Sequence, residues 1–173
     1  MRRPVDPERV RLFMRAFGAA ADRDTRLYFT GGATAVLLGW RSSTIDLDIK
    51  LEPESDALLR AVPRLKEQLE INVELASPDD FIPELAGWRD RSAFIARQGR
   101  ISFLHYDLAA QALSKIERGH AQDREDVREM LARGLVRRED LTAHFAAIEG
   151  RLFRYPAIDP AAFRRAVLAA VAD

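Results

Sequence analysis

The strongest constraint on the fold is a strict alternation of apolar and charged residues in Ile45–Leu51. Successive side chains of a β-strand point to opposite faces of a sheet, so every second residue shares a face. The apolar face carries Ile45, Leu47, Ile49 and Leu51. The charged face carries Asp46, Asp48 and Lys50. The segment therefore predicts a half-buried strand that presents two aspartates on its polar side.

The segments around this strand indicate a mixed α/β arrangement. Leu27–Thr30 is β-prone and stops at Gly31–Gly32, and the following Ala33–Gly39 suits a helix, which gives a strand, a glycine turn and a helix. Ile71–Leu75 alternates again and predicts a third strand. Two further runs, separated by a short glycine-containing turn, predict a hairpin and are Phe94–Arg97 and Ile101–Tyr106.

Helical patterns flank these strands. Asp6 and Pro7 predict the start of a helix that ends near Ala21. Ser55–Leu69 is helical in pattern, but Pro63 predicts two short helices or a kink. The chain after Tyr106 is predicted to be helical over Leu108–Arg118, Arg124–Arg133, Arg138–Phe153 and Pro160–Ala172. The expected fold class is α/β (α+β), with a small mixed sheet flanked by helices in residues 1–106. The helical portion, residues 107–173, is expected to pack on that core as a single structural unit.

Composition limits the function classes. The chain has 173 residues, 47% apolar residues and equal numbers of basic and acidic residues, which fits one globular domain without a polyanion-binding coat. It has no cysteine, so thiolate metal sites and cysteine nucleophiles are excluded. No run approaches the about 18 apolar residues of a membrane span, so we expect a cytoplasmic protein without a membrane partner.

The two aspartates predict a metal site. Residues i and i+2 of a strand have Cβ atoms about 6.6 Å apart on one face, so both carboxylates can approach the same ions. Carboxylate oxygens suit Mg²⁺, which is usually held by one or two carboxylates together with substrate phosphates. As an alternative, Asp46 and Asp48 would be solvated residues of an amphipathic strand.

The glycine turn predicts a phosphate-binding segment. Bare backbone N–H groups at a helix start attract phosphate oxygens, although Gly31–Gly32 also fits an ordinary turn. The polar residues just before the aspartates could bind the same phosphates or cap the turn, and they are Arg41, Ser42, Ser43 and Thr44. Lys50 shares the aspartate face, where it would either contact phosphate or neutralise the two carboxylates.

Together these elements resemble the nucleotidyltransferase superfamily, whose signature is a Gly-Gly turn, a short helix and an Asp-x-Asp on the next strand. Gly31–Gly32 and Asp46–Asp48 match that order. Lys115–Arg118 followed by Asp123–Val127 resembles the lysine and acidic helix of the compact toxin-like branch. That branch includes abortive-infection toxins and nucleotidyltransferase-like domains of unknown function. The resemblance covers Leu27–Leu131 and implies a minimal nucleotidyltransferase fold.

The resemblance also implies roles for particular residues. Asp46 and Asp48 would hold Mg²⁺ in a two-metal site, and Glu74, on the polar face of the third strand, would be the third carboxylate. The triphosphate would be lined by Gly31, Gly32 and Ser42 and contacted by Lys115. Asp123 or Asp126 would complete the site, whereas a capping role for these two aspartates at the start of a helix is the alternative.

The function expected from this resemblance is transfer of a nucleoside monophosphate from an NTP to an acceptor. The acceptor would be a nucleic acid such as tRNA, or another molecule. One alternative is a non-catalytic nucleotide- or protein-binding member of a toxin–antitoxin pair, with a cognate antitoxin as partner. Another is a small-molecule nucleotidyltransferase acting on an antibiotic. His105, His120 and His144 lack zinc-like spacing and receive no metal.

Overall fold

The computed structural model describes residues 1–172. Within that range the strands are β1 (Thr25–Thr30), β2 (Asp46–Glu52), β3 (Asn72–Leu75), β4 (Phe94–Gln98) and β5 (Ile101–His105). The helices are α1 (Pro7–Ala20), α2 (Gly32–Leu38), α3 (Asp56–Leu69), α4 (Trp88–Arg91), α5 (Leu108–Arg118), α6 (Ala121–Ala132), α7 (Arg138–Glu149) and α8 (Pro160–Ala172). The expected α+β fold with a mixed sheet and flanking helices is confirmed.

The chain forms two compact units. The first unit consists of residues 1–77 and 92–106, and it contains all five strands together with α1, α2 and α3. Within the described residues, the second unit consists of residues 78–91 and 107–172 and is helical. Residues 78–91, which include the short α4, therefore group with the C-terminal helices.

The sheet of the first unit has the strand order β3-β2-β1-β5-β4. Strands β1 and β2 are antiparallel, as are β4 and β5, whereas β1 pairs with β5 and β2 pairs with β3 in parallel. The antiparallel register of β1 and β2 places Thr30 opposite Asp48. The glycine turn that follows β1 therefore begins beside the second aspartate of β2.

Strand β2 is half-buried, as its alternation predicts. Leu47, Ile49 and Leu51 lie in the core of the first unit, whereas the residues between them are only partly buried. Ile45 is an exception to the predicted pattern, because it is 73% exposed. The strand begins one residue later, and Thr44 pairs with Val5 in an isolated bridge, so Ile45 lies outside the main ladder.

Helices α1 and α3 pack against the apolar face of the sheet. Asp6 caps α1 by accepting a hydrogen bond from the Arg9 backbone N–H, at 2.8 Å. Helix α3 is continuous through Pro63, so the predicted division into two short helices is wrong. The side chains of Leu58, Ala61 and Leu65 are buried on one face of α3. Their burial offsets the hydrogen bond that the proline removes, because each large buried aliphatic side chain contributes about 1.5–3 kcal/mol.

The helices of the second unit follow the sequence pattern closely. Helices α5 and α8 have the predicted bounds, and α6 begins three residues before the predicted start. Helix α7 ends at Glu149, four residues before the predicted end at Phe153. A short 3₁₀ turn at Leu152–Arg154 follows it. Over residues 1–172, no helix is long and apolar enough to span a membrane.

Candidate functional site

The polar face of strands β2 and β3, where the two strands pair, carries three carboxylates and one amide. The parallel register pairs Asp46 with Asn72 and Asp48 with Glu74. Residues in register on neighbouring strands share a face, so these four side chains form two adjacent rungs. Both aspartates are partly buried, and Glu74 is exposed. Asp46 and Asp48 therefore lie on the same face of β2, and their convergence on a metal ion stays a prediction.

Gly31 lies directly against the carboxylate of Asp48. A Cβ atom built at position 31 would stand 3.0 Å from Asp48 Oδ2. Gly31 also has a φ of 61°, in the region where residues with a side chain are strained. It is the N-cap of α2, and no side chain caps that helix. Gly31 thus joins the end of β1 to α2 and leaves space beside Asp48.

Gly32 has a different environment. A Cβ atom at position 32 would lie 1.9 Å from Thr44 Oγ1 and 3.3 Å from a guanidinium nitrogen of Arg41. The loop before β2 therefore packs on the glycine turn, and it is held by backbone hydrogen bonds between Thr44 and Val5 of 2.7 and 3.0 Å. Two of the predicted nucleotide-binding residues, Arg41 and Thr44, thus lie next to the turn. Their contact with nucleotide stays a prediction.

Asn72 links the two acidic strands. Its Nδ2 donates hydrogen bonds to Asp46 Oδ1 at 2.6 Å and to Glu74 Oε1 at 2.9 Å. A primary amide nitrogen carries two hydrogens, so one group can serve both carboxylates. Sequence reasoning did not select Asn72, because only the register of β2 with β3 places it beside Asp46.

The residues present fit a metal ion that is shared with a nucleotide. Asp46 and Asp48 supply two hard oxygen donors on one face, and Mg²⁺ in nucleotide sites often takes only one or two carboxylates from the protein. Over the part of the chain that the structure describes, no group of three or more His, Cys, Asp or Glu side chains could hold a metal ion. The predicted ligand Glu74 is hydrogen-bonded to Asn72. A Mg²⁺ ion held by this carboxylate pair would keep coordination positions for phosphate oxygens.

Comparison with protein families matches residues 10–151 to a family described as "Nucleotidyltransferase of unknown function (DUF6036)". The match covers most of the chain and includes the glycine turn and both aspartates. The chain belongs to this family. Comparison with curated proteins gave no match, and comparison with solved structures gave none. The resemblance to a nucleotidyltransferase-like domain of unknown function is thereby confirmed.

Two other predicted site residues of the first unit have distinct positions. Lys50 lies on the polar face of β2, two residues after Asp48, and is in register with Tyr28. Ser42 is exposed in the loop between α2 and β2. Their roles at phosphate stay predictions.

In the second unit, Lys115 is buried in an ion-pair cluster. Its side chain is 5% exposed, and Nζ lies 2.7 Å from Asp126 Oδ2 and 3.6 Å from Asp123 Oδ1. Arg118 donates two hydrogen bonds to Asp123, at 2.8 and 2.5 Å. These contacts join the last turns of α5 to the first turns of α6. Lys115 therefore contacts both Asp123 and Asp126. The implied roles of these three residues at the nucleotide, and the contact of Lys115 with phosphate, stay predictions.

The environment of Asp123 favours its charged form. Burial alone would raise the pKa of this carboxyl, but the Arg118 guanidinium, the Lys115 ammonium and the His120 backbone N–H together hold it below its ordinary value. The contact with His120, the N-cap of α6, is one half of a capping box. Asp123 therefore both caps the helix and pairs with two cations.

His105 and Thr34 form a buried contact next to the glycine turn. Thr34 Oγ1 lies 3.0 Å from His105 Nδ1 and 3.4 Å from the Phe29 carbonyl oxygen, to which it donates. Burial lowers the pKa of His105 to about 4, so the ring is neutral at pH 7. The contact ties the first turn of α2 to the ends of β1 and β5. Sequence spacing does not indicate it, because the two residues are 71 positions apart.

Proposed function

We propose that this protein transfers a nucleoside monophosphate from an NTP to a hydroxyl or phosphate group of an acceptor, with release of pyrophosphate. The family provides the reaction class. The observation that carries the assignment is the close approach of the glycine turn to one carboxylate of the pair. A Cβ atom at position 31 would stand 3.0 Å from Asp48 Oδ2, so glycine keeps side-chain atoms out of the space beside that carboxylate. Backbone N–H groups of the glycine turn suit phosphate oxygens, and the neighbouring carboxylates suit the cation that a triphosphate carries.

Each group has a specific task in the proposed reaction. Asp46 and Asp48 would hold Mg²⁺, which when bound neutralises the triphosphate and stabilises the developing charge on pyrophosphate. Gly31 keeps side-chain atoms away from the space beside Asp48, so phosphate oxygens can approach the backbone. The Arg41 guanidinium, adjacent to Gly32, offers donors suited to phosphate. Positioning and charge neutralisation account for most catalysis in reactions of this type.

A nucleic acid such as tRNA is the acceptor we propose to test first. The chain is neutral overall, with 27 basic and 27 acidic residues, so recognition of an RNA would depend on a local group of arginines. The experiment incubates the protein with each labelled NTP, Mg²⁺ and total tRNA, and measures label in the RNA. We expect incorporation with the wild type and a loss of at least a hundredfold, about 2.7 kcal/mol, in Asp46→Asn and in Asp48→Asn.

Asp56→Asn is the matched control, because it removes an exposed carboxylate from the same unit, at the first turn of α3. It should leave incorporation unchanged. Calorimetry with Mg²⁺ and NTP separates the remaining outcomes. Binding without transfer to any acceptor would contradict the transferase and support a non-catalytic nucleotide-binding member of the family. Absence of both binding and transfer, in a folded protein, would contradict the proposed site altogether.

A further inference from the structure

Asn72 lies beside Asp46 on the neighbouring strand and places an amide at the carboxylate pair. The two residues are in register on β2 and β3, and Asn72 Nδ2 lies 2.6 Å from Asp46 Oδ1. The same nitrogen holds Glu74 Oε1 at 2.9 Å. An uncharged amide therefore lies between two carboxylates and donates a hydrogen bond to one oxygen of each.

This arrangement leaves Asp46 and Asp48 with different surroundings. Asp46 is held by Asn72 on the β3 side, whereas Asp48 Oδ2 lies toward the Gly31 turn. Glu74, although in register with Asp48, is engaged by the amide. Throughout residues 1–172, no group of three acidic or histidine side chains could hold a metal ion.

We propose that Asn72 makes metal binding at this site depend on the nucleotide, so that the divalent cation enters as its complex with the NTP. The inference rests on the proposed function, because it concerns the same carboxylate pair. Mg²⁺ loses its hydration water reluctantly and needs near-octahedral coordination. Two carboxylates, of which Asp46 is hydrogen-bonded to Asn72, replace few of the waters of a free ion. A triphosphate supplies further oxygens to the ion before it reaches the protein.

The amide has a second consequence for the nucleotide-free protein. Carboxylates on adjacent rungs repel one another, and like charges directly opposite on neighbouring strands are destabilising. Each hydrogen bond from Asn72 to a carboxylate is charge-assisted and therefore stronger than a neutral one. Asn72 thus stabilises Asp46 and Glu74 in their metal-free positions, and an aspartate at this position would instead add a third metal ligand.

The inference is tested with Mn²⁺ alone, without nucleotide, by electron paramagnetic resonance of the free and bound ion. Asn72→Asp adds a carboxylate beside Asp46. The double variant Asn72→Asp/Glu74→Gln moves the carboxylate from position 74 to position 72 and keeps the net charge of the wild type. Both should bind Mn²⁺ at least tenfold more tightly than the wild type. Circular dichroism checks that each variant is folded.

Two controls separate position from charge. Glu74→Gln alone removes a carboxylate and retains Asn72, and it should give no gain in Mn²⁺ affinity. Gln68→Asp adds a carboxylate at an exposed position of α3, and it should also give no gain. The double variant keeps the inference testable if the added charge of Asn72→Asp prevents folding, because its total charge is unchanged.

Equal Mn²⁺ affinity of the wild type and the folded double variant would overturn the inference. An equal gain in Gln68→Asp would also overturn it, since added charge alone would then explain the effect. The measurement does not depend on transfer. A gain confined to the Asn72→Asp variants, in a protein that transfers no nucleotide to any acceptor, would support the role of Asn72 and contradict the transferase. Transfer by the wild type, together with unchanged Mn²⁺ affinity in the double variant, would support the transferase and contradict the role of Asn72.

Discussion

The two adjacent glycines of the candidate site have separate structural roles. Gly31 has the positive φ of 61° and lies against Asp48, whereas Gly32 is closely packed against Thr44 and Arg41. The sequence predicts a turn and its bare backbone, but it does not distinguish the two positions. A valine at position 32 would collide with Thr44, so that substitution would perturb folding as well as binding. Position 31 is the better test of the site.

We expect Gly31→Ala to weaken Mg²⁺–NTP binding at least tenfold and to lower the free energy of unfolding by about 1–2 kcal/mol. The added methyl group would stand 3.0 Å from Asp48 Oδ2, in the space proposed for a phosphate oxygen, and the backbone would be strained. Calorimetry gives the affinity, and urea unfolding gives the stability.

Gly39→Ala is the matched control for backbone strain. Gly39 has a φ of 95°, but nothing lies within 4 Å of its Cβ position. The control should lose similar stability and retain nucleotide affinity. An equal loss of affinity in both variants would show that strain in α2, rather than the space beside Asp48, controls binding.

Among the secondary-structure elements, periodicity predicted most strands and helices, since residues of β2 and α5 repeat with the spacing of their own backbone. Contacts between different elements could not be predicted from the periodicity of the sequence. The role of Asn72 depends on strand register, and the uninterrupted α3 depends on packing that compensates for Pro63. The resemblance assigned Lys115, Asp123 and Asp126 to the nucleotide site, but their mutual ion pairs and burial follow from the packing of α5 on α6.

The pairing of α5 with α6 leads to a stability prediction. Lys115→Met should lower the free energy of unfolding by about 3–5 kcal/mol, because Asp126, which is fully buried, would lose the ammonium 2.7 Å away. The midpoint of urea denaturation measures the change. If Lys115 were an exposed helix residue, the same substitution would change the free energy of unfolding only slightly.

Lys66→Met, at a partly exposed position of α3, is the control and should change stability by less than about 0.5 kcal/mol. The double variant Lys115→Met/Asp126→Leu removes both charges and should recover most of the loss, since a buried pair can often be replaced by apolar residues. Failure of the double variant to recover stability would show that the loss comes from packing around the lysine stem rather than from removal of the ammonium beside Asp126.

At the scale of the whole molecule, buried ionisable groups determine how stability depends on pH. His105 in the first unit is neutral because burial lowers its pKa to about 4, compared with 6.5 in an exposed chain. Asp123 in the second unit has a pKa below its ordinary 3.8. The stabilisation from Asp123 is therefore present above pH 3.8 and is lost only at lower pH. Between pH 6.5 and 4, the contribution of His105 can be observed without that of Asp123.

We expect the free energy of unfolding to decrease by about 3 kcal/mol from His105 as the pH falls from 6.5 to 4. In this range the unfolded chain binds a proton at His105 and the folded protein does not, so lowering the pH favours unfolding. Burial raises the pKa of Glu117, which acts in the opposite direction. Glu117 is unchanged in His105→Asn, so the difference between the two urea-denaturation curves isolates the histidine. The variant should lose most of the decrease, and parallel pH dependence in wild type and variant would show that His105 is protonated in the folded protein over this range.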